Sequence, residues 1–259
     1  MKEPLVSVVI PVYNAENYIV AALESVINQS HKNIEIIVVD DCSTDNSFEV
    51  ISEFLNGKDI DSIVEKVDEN FGGPAGPRNI GIKKSSGAYI AFLDADDIWH
   101  PLKIETQLKY LKDSDYDFVS SLKLDFFNDD EITFVTDIDN IDVVEHSLSS
   151  TLHKNTIYLS TVLIKKTDFR FNEEQIYHGV EDYYLWISIL KKGYKGILIK
   201  DDLIAYRVLE NSLSRNKVKY AFKVMRVLKH FKPNTYLYYF LSYFFISYYR
   251  IIRNKLLRN

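Results

Sequence analysis

The chain has 259 residues, of which 46% are apolar, and its formal net charge is −6. This length and apolar content are enough for a large hydrophobic core, which excludes a disordered or fibrous protein. The single cysteine, Cys42, excludes an internal disulfide framework and is typical of a reducing compartment. The N-terminus leads into a strand-like run without the apolar core and cleavage site of a signal peptide, so we expect a cytoplasmic protein.

Strand-like apolar runs alternate with amphipathic stretches through the first half of the chain. The predicted strands are residues 6–12, 34–39, 63–67 and 89–93, and the predicted helices are 16–29, 76–84 and 102–112. Such alternation is typical of βαβ units. The fold class is therefore α/β, with a mainly parallel sheet flanked by helices.

The second half of the chain is less regular. We predict strands at residues 118–127 and 160–164, and a helix at 181–192 that Gly193 ends. Residues 217–259 carry ten basic side chains and no acidic one, whereas residues 1–216 carry 21 basic and 37 acidic side chains. This change predicts a domain boundary near Asn216, followed by a basic, aromatic-rich helical appendage that we call the tail.

Three carboxylates follow the fourth predicted strand, at Asp94, Asp96 and Asp97. Like charges packed this closely repel one another and require a counter-charge. Oxygen ligands select a hard ion such as Mg²⁺ or Mn²⁺, which usually completes its coordination shell with waters and substrate phosphates. The alternative interpretation is a solvated acidic turn before the helix that starts near Pro101.

Polar residues also follow the first and second predicted strands, at Tyr13 and Asn14 and again from Asp40 to Asp45. In an open α/β sheet, ligands bind at the carboxyl ends of the strands. Three such ends therefore predict a single binding site. For Asp40 and Asp45 the alternative is a turn and N-cap of the following helix.

Five ordered motifs resemble those of family 2 inverting glycosyltransferases, which have the GT-A fold. They lie at residues 7–14, 39–45, 70–79, 94–97 and 181–186. The resemblance implies a catalytic domain at 1–216, with a nucleotide-sugar half of about 1–115 and an acceptor half of about 116–216. It implies transfer of a sugar, with uridine diphosphate as carrier, to an acceptor hydroxyl on a glycan or lipid-linked acceptor in cell-surface polysaccharide or glycolipid synthesis.

The resemblance also assigns the donor-binding residues. Those implied to bind the nucleotide sugar are Pro11, Val12, Tyr13, Glu16, Asp41, Arg78, Asp94, Ala95, Asp96 and Arg207. Asp96 is also the implied ligand of the Mn²⁺ or Mg²⁺ cofactor. For Tyr13 the alternative is an ordinary core tyrosine, and for Arg78 it is a solvent-exposed position on a helix.

By the same resemblance, Asp182 is the base that removes the proton of the acceptor hydroxyl, and Glu181 orients it. A carboxylate at a helix N-terminus is kept ionised by the dipole and the free amides, which suits a base. His178 and Trp186 are placed on the acceptor side, although a tryptophan here is also typical of core packing. Many relatives carry a histidine where this chain has Leu209.

The tail suggests a membrane surface as a partner. Residues 236–252 are aromatic-rich, but their apolar stretch is too short to span a bilayer. The pattern of residues 217–232 predicts a basic amphipathic helix. We expect the tail to bind anionic lipid on the inner face of the cell membrane. The alternative is packing on the domain or an oligomer interface. A nucleic-acid partner is not expected because the rest of the chain is acidic.

Two other functions share parts of this pattern. A nucleotidyltransferase that makes a nucleotide sugar has a similar sheet and acidic metal ligands, but this chain lacks its glycine-rich loop near the N-terminus. A non-catalytic module that binds a nucleotide sugar or a membrane surface would leave Glu181 and Asp182 without a chemical role.

Overall fold

A central mixed sheet with helices on both faces forms the body of the protein. The fold is taken from a computed structural model that describes residues 3–127, 132–134, 141–209 and 217–256. In these residues the strands are β1 (Val6–Val12), β2 (Ile34–Asp40), β3 (Asp61–Lys66), β4 (Tyr89–Phe92), β5 (Ile98–Trp99), β6 (Phe118–Phe126), β7 (Val143–Glu145), β8 (Leu163–Lys165) and β9 (Gly196–Arg207). The helices are α1 (Ile19–Ile27), α2 (Ser47–Leu55), α3 (Ala75–Lys84), α4 (Lys103–Leu111), α5 (Leu148–His153), α6 (Glu181–Lys191), α7 (Lys217–Phe231) and α8 (Tyr236–Leu256).

The sheet order is β3-β2-β1-β4-β8-β6-β9-β5, with β7 beside β9. Strands β1, β2, β3 and β4 pair in parallel, as do β6 and β9, whereas β5, β7 and β8 make antiparallel pairs. The predicted α/β fold with a sheet flanked by helices is confirmed. Parallel pairing is concentrated in the first half, where the alternation in the sequence is clearest.

Strand β1 explains why two helical layers form. All seven of its residues are buried. Val6, Val8 and Ile10 face a core shared with α1, α2 and α4, while Val9 faces a second core shared with α3 and α6. A strand covered on both faces reads as a continuous apolar run. The parallel register places Val12 opposite Asp40, so the carboxyl ends of β1 and β2 share one edge of the sheet.

Most predicted elements agree with the structure to within a few residues. Gly193 has a φ of +94°, a left-handed conformation that favours glycine, and its N–H donates to the Leu190 carbonyl at 3.1 Å, so it ends α6 as predicted. The strand predicted at 160–164 begins only at Leu163, because Leu159–Thr161 forms a 3-10 turn. Strand β9 was missed because the charged residues Asp201 and Asp202 interrupt its apolar pattern.

The tail forms two helices, α7 and α8, that pack against α6. Val224, Val227 and Leu228 of α7 are fully buried in a third core with residues of α6 such as Tyr183 and Ile187. The boundary predicted near Asn216 lies outside the described residues. Within the part of the chain that the structure describes, no helix combines the length and apolar character needed to cross a membrane.

Candidate active site

A cleft of about 720 Å³ opens where β1, β2 and β4 end. Its wall contains residues from all five sequence motifs. The predicted residues on it are Pro11, Val12, Tyr13, Asp41, Arg78, Asp94, Ala95, Asp96, His178, Glu181, Asp182 and Arg207. The structure therefore gathers every predicted site residue except Glu16 and Trp186 around one space.

One end of the cleft is built by the loops after β1 and β2. Asn14 connects them: its backbone N–H donates to Ser43 Oγ at 2.9 Å, and its Oδ1 accepts from the Thr44 N–H at 2.8 Å. Asn14 and Cys42 have φ values of 51° and 59°, a left-handed conformation that costs a residue with a side chain on the order of 1 kcal/mol or more. The cross-linked loops hold this conformation and leave the Tyr13 side chain 55% exposed at the mouth of the cleft.

Asp41 is the acidic residue at this end of the cleft. It is buried, and its Oδ1 accepts from the Phe71 N–H at 2.8 Å. Burial raises the pKa of Asp41, the Phe71 amide lowers it, and the charge of Asp40 raises it further. An exposed ring beside a buried acceptor can bind a flat base with a donor edge.

The structure corrects the prediction for Glu16. Its carboxylate accepts from the backbone N–H and the side-chain Nδ2 of Asn46, at 2.9 and 3.0 Å, and so it stabilises the start of α2. Asp45 accepts from the backbone N–H groups of Ser47 and Glu16 at 3.0 and 3.1 Å. Glu16 and Asp45 therefore have local structural roles, and neither lines the cleft.

Arg78 connects the two acidic parts of the cleft. Its guanidinium is buried and pairs with Asp94 at 2.7 Å and with Glu181 at 2.9 Å. Burial lowers the pKa of Arg78, but the charges of Asp94 and Glu181 outweigh that effect and leave the pKa raised. The solvent-exposed alternative for Arg78 is wrong, because α3 turns this side chain into the protein.

The acidic side chains of the turn after β4 lie in two places, the cleft and the protein core. Asp94 and Asp96 line the cleft, while Asp97 is fully buried and accepts from the Arg207 N–H at 3.1 Å. Burial, followed by the charge of Asp94, raises the pKa of Asp96 to about 6. Burial also raises the pKa of Asp97, with the charges of Asp96 and Asp94 adding to it.

The donor set at this turn fits a hard divalent ion. In the described ranges, no group of three or more His, Cys, Asp or Glu side chains is placed to hold a metal. Ions of the magnesium class, however, are usually held by one or two carboxylates together with waters and substrate phosphates. Asp96 is a half-buried carboxylate on the cleft wall, close enough to Asp94 for the two charges to interact, and a cation there would offset their repulsion.

Asp182 lies on the other side of the cleft, as the second residue of α6. Asn155 Nδ2 donates to its Oδ2 at 3.2 Å, and the Tyr183 N–H donates to its Oδ1 at 2.6 Å. Burial, and then the charge of Glu181, raise the pKa of Asp182 to about 7. The expectation that the helix dipole keeps this carboxylate readily ionised is wrong, since burial and a like charge outweigh it. A pKa near 7 nevertheless suits a general base at neutral pH.

Glu181 differs from Asp182 because its carboxylate is ion-paired with the buried guanidinium of Arg78. Oε1 accepts from Arg78, and Oε2 accepts from the Gly179 N–H at 2.6 Å. This arrangement fixes the first turn of α6. The Arg78 pair gives Glu181 a structural role at the start of α6.

Trp186 is not part of the cleft, and the prediction that it lines an acceptor pocket is wrong. Its ring is fully buried, stacks on Phe118 with centroids 5.8 Å apart, and its Nε1 donates to the Ile157 carbonyl at 3.0 Å. Burial of this large ring is worth more to the core than exposure at a pocket wall. His178 does line the cleft, and it lies so close to Gly73 that an added Cβ there would approach its Cδ2 to 2.6 Å.

Arg207 and several residues missed in the sequence complete the wall. Arg207 Nε donates to the Asp96 carbonyl at 3.0 Å, and its guanidinium lies 4.8 Å from the centroid of Tyr18. Tyr18, Tyr158 and Ser160 also line the cleft. Tyr158 and Ser160 belong to a short irregular segment without periodicity, which left no signal to find them. Leu209 also lies on the wall.

The chain is similar in sequence to known glycosyltransferases. The profile of Glycosyl transferase family 2 matches residues 7–162. An uncharacterized glycosyltransferase of Rickettsia bellii is 34% identical over 242 residues, which cover 92% of this chain and 34% of that protein. The Escherichia coli protein WfaP, a UDP-Glc:alpha-D-GlcNAc-diphosphoundecaprenol beta-1,3-glucosyltransferase, is 36% identical over 226 residues, covering 87% of this chain and 86% of the relative.

A solved structure supports the fold. The mannosyltransferase PcManGT from Pyrobaculum calidifontis, in complex with GDP-Man and Mn²⁺, matches with a TM-score of 0.68 and 19% identity, over 88% of this chain and 64% of that one. The chain thus spans about a third of the Rickettsia relative and just under two thirds of the archaeal structure. At this identity the archaeal structure shows a common fold.

Proposed function

The chain belongs to glycosyltransferase family 2, and from this premise we propose that it is an inverting transferase that uses a nucleotide sugar, with UDP as the carrier. The observation that supports the proposal is that Asp96 and Asp182 line the same cleft, with Arg78 joined to both acidic segments. The sugar goes to an acceptor hydroxyl in cell-surface polysaccharide or glycolipid synthesis. The printed name of the Escherichia coli relative, which gives a UDP-sugar donor and a lipid diphosphate acceptor, supports this class of substrates.

The donor is held at the strand ends. Tyr13 stacks on the uracil ring, with Pro11 and Val12 beside it, and Asp41 accepts from the imide N–H, because an aromatic face with one acceptor binds and selects a base. Arg207 contacts the diphosphate. The terminal nitrogens of Arg78 are already paired with two acids, so we assign Arg78 to positioning those acids.

The transfer is a single displacement. Asp182 Oδ takes the proton of the acceptor hydroxyl as that oxygen attacks the anomeric carbon. The bond between the anomeric carbon and the donor phosphate oxygen breaks, and its electron pair leaves with the nucleoside diphosphate. Attack from the side opposite the leaving group inverts the anomeric configuration. Glu181 stays ion-paired and holds the first turn of α6 in place.

Asp96 is the protein ligand of the divalent cofactor in this proposal, with Asp94 beside it. A bound Mn²⁺ or Mg²⁺ acts as a Lewis acid that neutralises charge on the departing diphosphate. The Mn²⁺ in the mannosyltransferase structure from Pyrobaculum calidifontis supports a divalent cofactor. Arg78 neutralises Asp94, which leaves the charge of Asp96 to be balanced by the ion.

We propose that the tail binds anionic lipid on the inner face of the cell membrane. Residues 1–216 form the catalytic domain in this proposal. On α7 and α8, large apolar side chains remain exposed, with Phe244 at 57% and Phe245 at 69%. Helix α7 also carries exposed basic residues, such as Arg226. Basic residues near an anionic surface contribute on the order of 1 kcal/mol each. Aromatic groups with basic neighbours suit the headgroup region, where a lipid-linked acceptor would be found.

A donor assay tests the proposed activity. The intact protein is incubated with a panel of UDP-sugars, with Mn²⁺ or with EDTA, and with an acceptor that carries α-GlcNAc-diphosphate on a short alkyl chain. We expect UDP release that depends on the metal, and a product with inverted anomeric configuration. Protection against thermal unfolding by each nucleotide sugar identifies the donor independently of turnover.

Each alternative function predicts a different result. Pyrophosphate formation in a parallel incubation with a sugar phosphate and UTP would indicate a nucleotidyltransferase. Donor binding without UDP release under any condition would indicate a binding module. Metal-independent transfer would contradict the role of Asp96 as a metal ligand.

A further inference from the structure

The inner face of the tail lies against the base-bearing segment, by which we mean residues 175–184, including Asp182. Val224, Val227 and Leu228 of α7 pack in one buried cluster with Tyr177, Val180 and Tyr183. Tyr177 and Val180 precede the first residue of α6, and Tyr183 follows it. The same two tail helices therefore present one apolar face to solvent and a different one to the segment that carries the base.

Polar contacts fix the tail to this segment in addition to the apolar packing. Lys223 Nζ donates to the backbone carbonyl of His178, three residues before the first residue of α6. His230 Nε2 lies 3.0 Å from the Tyr184 hydroxyl, and its Nδ1 lies 3.5 Å from the Tyr177 hydroxyl. Two side chains of α7 thus contact the segment on both sides of Asp182.

Helix α8 adds contacts behind the base. The Tyr243 ring lies 5.9 Å from the Tyr183 ring, and its hydroxyl is 3.5 Å from that of Tyr220 on α7. Ser242 Oγ lies 2.5 Å from His153 Nδ1, just before the turn that carries Asn155, the hydrogen-bond donor to Asp182. The tail therefore contacts the helix that carries Asp182 and the end of α5, two residues before Asn155.

We propose that the tail is a positioning element of the transfer site, and that Lys223 is its principal positioning residue because it holds the carbonyl of His178 and with it the turn into α6. The inference rests on the proposed transfer reaction and extends it: the tail serves catalysis with its inner face, whatever its outer face binds. Since a base must be held within hydrogen-bond distance of the acceptor proton, release of this turn lowers turnover more than it weakens donor binding.

Three variants of the full chain test this inference. Lys223→Met removes the ammonium but keeps the apolar stem, and Lys223→Arg keeps a charged donor. Lys229→Met is the matched control, because it removes the same charge from an exposed position on the same helix and lowers attraction to a membrane equally. Transfer is measured without vesicles, with the soluble acceptor analogue, and backbone hydrogen exchange is followed in residues 175–184.

We expect Lys223→Met to lower kcat by about tenfold or more, with the donor KM within twofold of the unmodified protein. Hydrogen exchange in residues 175–184 becomes faster in this variant alone, Lys223→Arg recovers most of the lost rate, and Lys229→Met behaves as the unmodified protein. Equal kcat values and equal exchange for Lys223→Met and Lys229→Met would overturn the inference. Absence of transfer by the unmodified protein would count against the proposed function only, and the exchange comparison would still decide the role of Lys223.

Discussion

The donor side of the cleft and the base side are built in different ways. The donor side consists of loops at the ends of neighbouring parallel strands, and bonds such as Asn14 to Ser43 connect these loops directly. The base side depends on distant partners: Arg78 and Glu181 are 103 positions apart, and Lys223 reaches His178 from the tail. We therefore expect the donor side to tolerate changes in the tail that the base side does not.

The sharpest test of this difference is Asp182→Asn. Removal of a general base typically costs 10² to 10⁴-fold in rate, and we expect transfer to fall about 10³-fold while UDP-sugar affinity stays within twofold. The measurements are initial transfer rates and calorimetric donor binding. Asp168→Asn, at an exposed position in the same half of the chain, is the control. Transfer above a tenth of the normal rate would remove the assignment of Asp182 as the base.

Asp96→Asn tests the donor side. We expect about a 100-fold loss of transfer together with loss of the increase in donor affinity that Mn²⁺ produces, because the substitution removes the charge that holds the ion. Titration of donor with and without Mn²⁺ measures both effects. Asp115→Asn removes an acid whose side chain is 93% exposed and should change neither. Donor affinity that still responds fully to Mn²⁺ in Asp96→Asn would place the ion elsewhere.

The outer face of the tail is tested by the double substitution Phe244→Ser and Phe245→Ser. Full burial of one such ring is worth about 1.5–3 kcal/mol, so the double variant should bind anionic vesicles at least about tenfold more weakly. Transfer to the soluble acceptor should not change. Phe127→Ser, which alters an exposed ring of the body, is the control in vesicle sedimentation. Unchanged vesicle binding together with a lower oligomeric state would show that this face is a protein interface.

The smallest effect is expected from Glu181→Gln, and it concerns pH. The base acts in its ionised form, so the acid limb of kcat/KM should rise through the pKa of Asp182, which is about 7. Removing the neighbouring negative charge favours ionisation of Asp182 and lowers this pKa. We expect the limb to move to lower pH by up to about one unit. A limb that stays in place or moves to higher pH would show that Glu181 does not act on the base by its charge.

The sequence could place most of the predicted donor-side residues at one edge of the sheet, because they follow strongly periodic strands. Asp41, Asp94 and Asp96 each come directly after an apolar run, and parallel pairing brings such ends to one edge. The misses have physical reasons. Trp186 was expected on the acceptor side because it lies one turn after Asp182, but its ring is packed against Phe118 in the core. Glu16 lies among donor-loop residues, but its hydrogen bonds to Asn46 make it part of a helix start.

Two properties of this protein were settled by sequence alone: an α/β sheet with polar residues at its strand ends, and membership of a family of glycosyltransferases. Both follow from local patterns, since apolar periodicity and short motifs do not require knowledge of distant contacts. The ion pairs of Arg78, the raised pKa of Asp182 and the packing of the tail behind the base emerged only in the folded chain. Each depends on burial and on charges from remote segments, which no local pattern encodes.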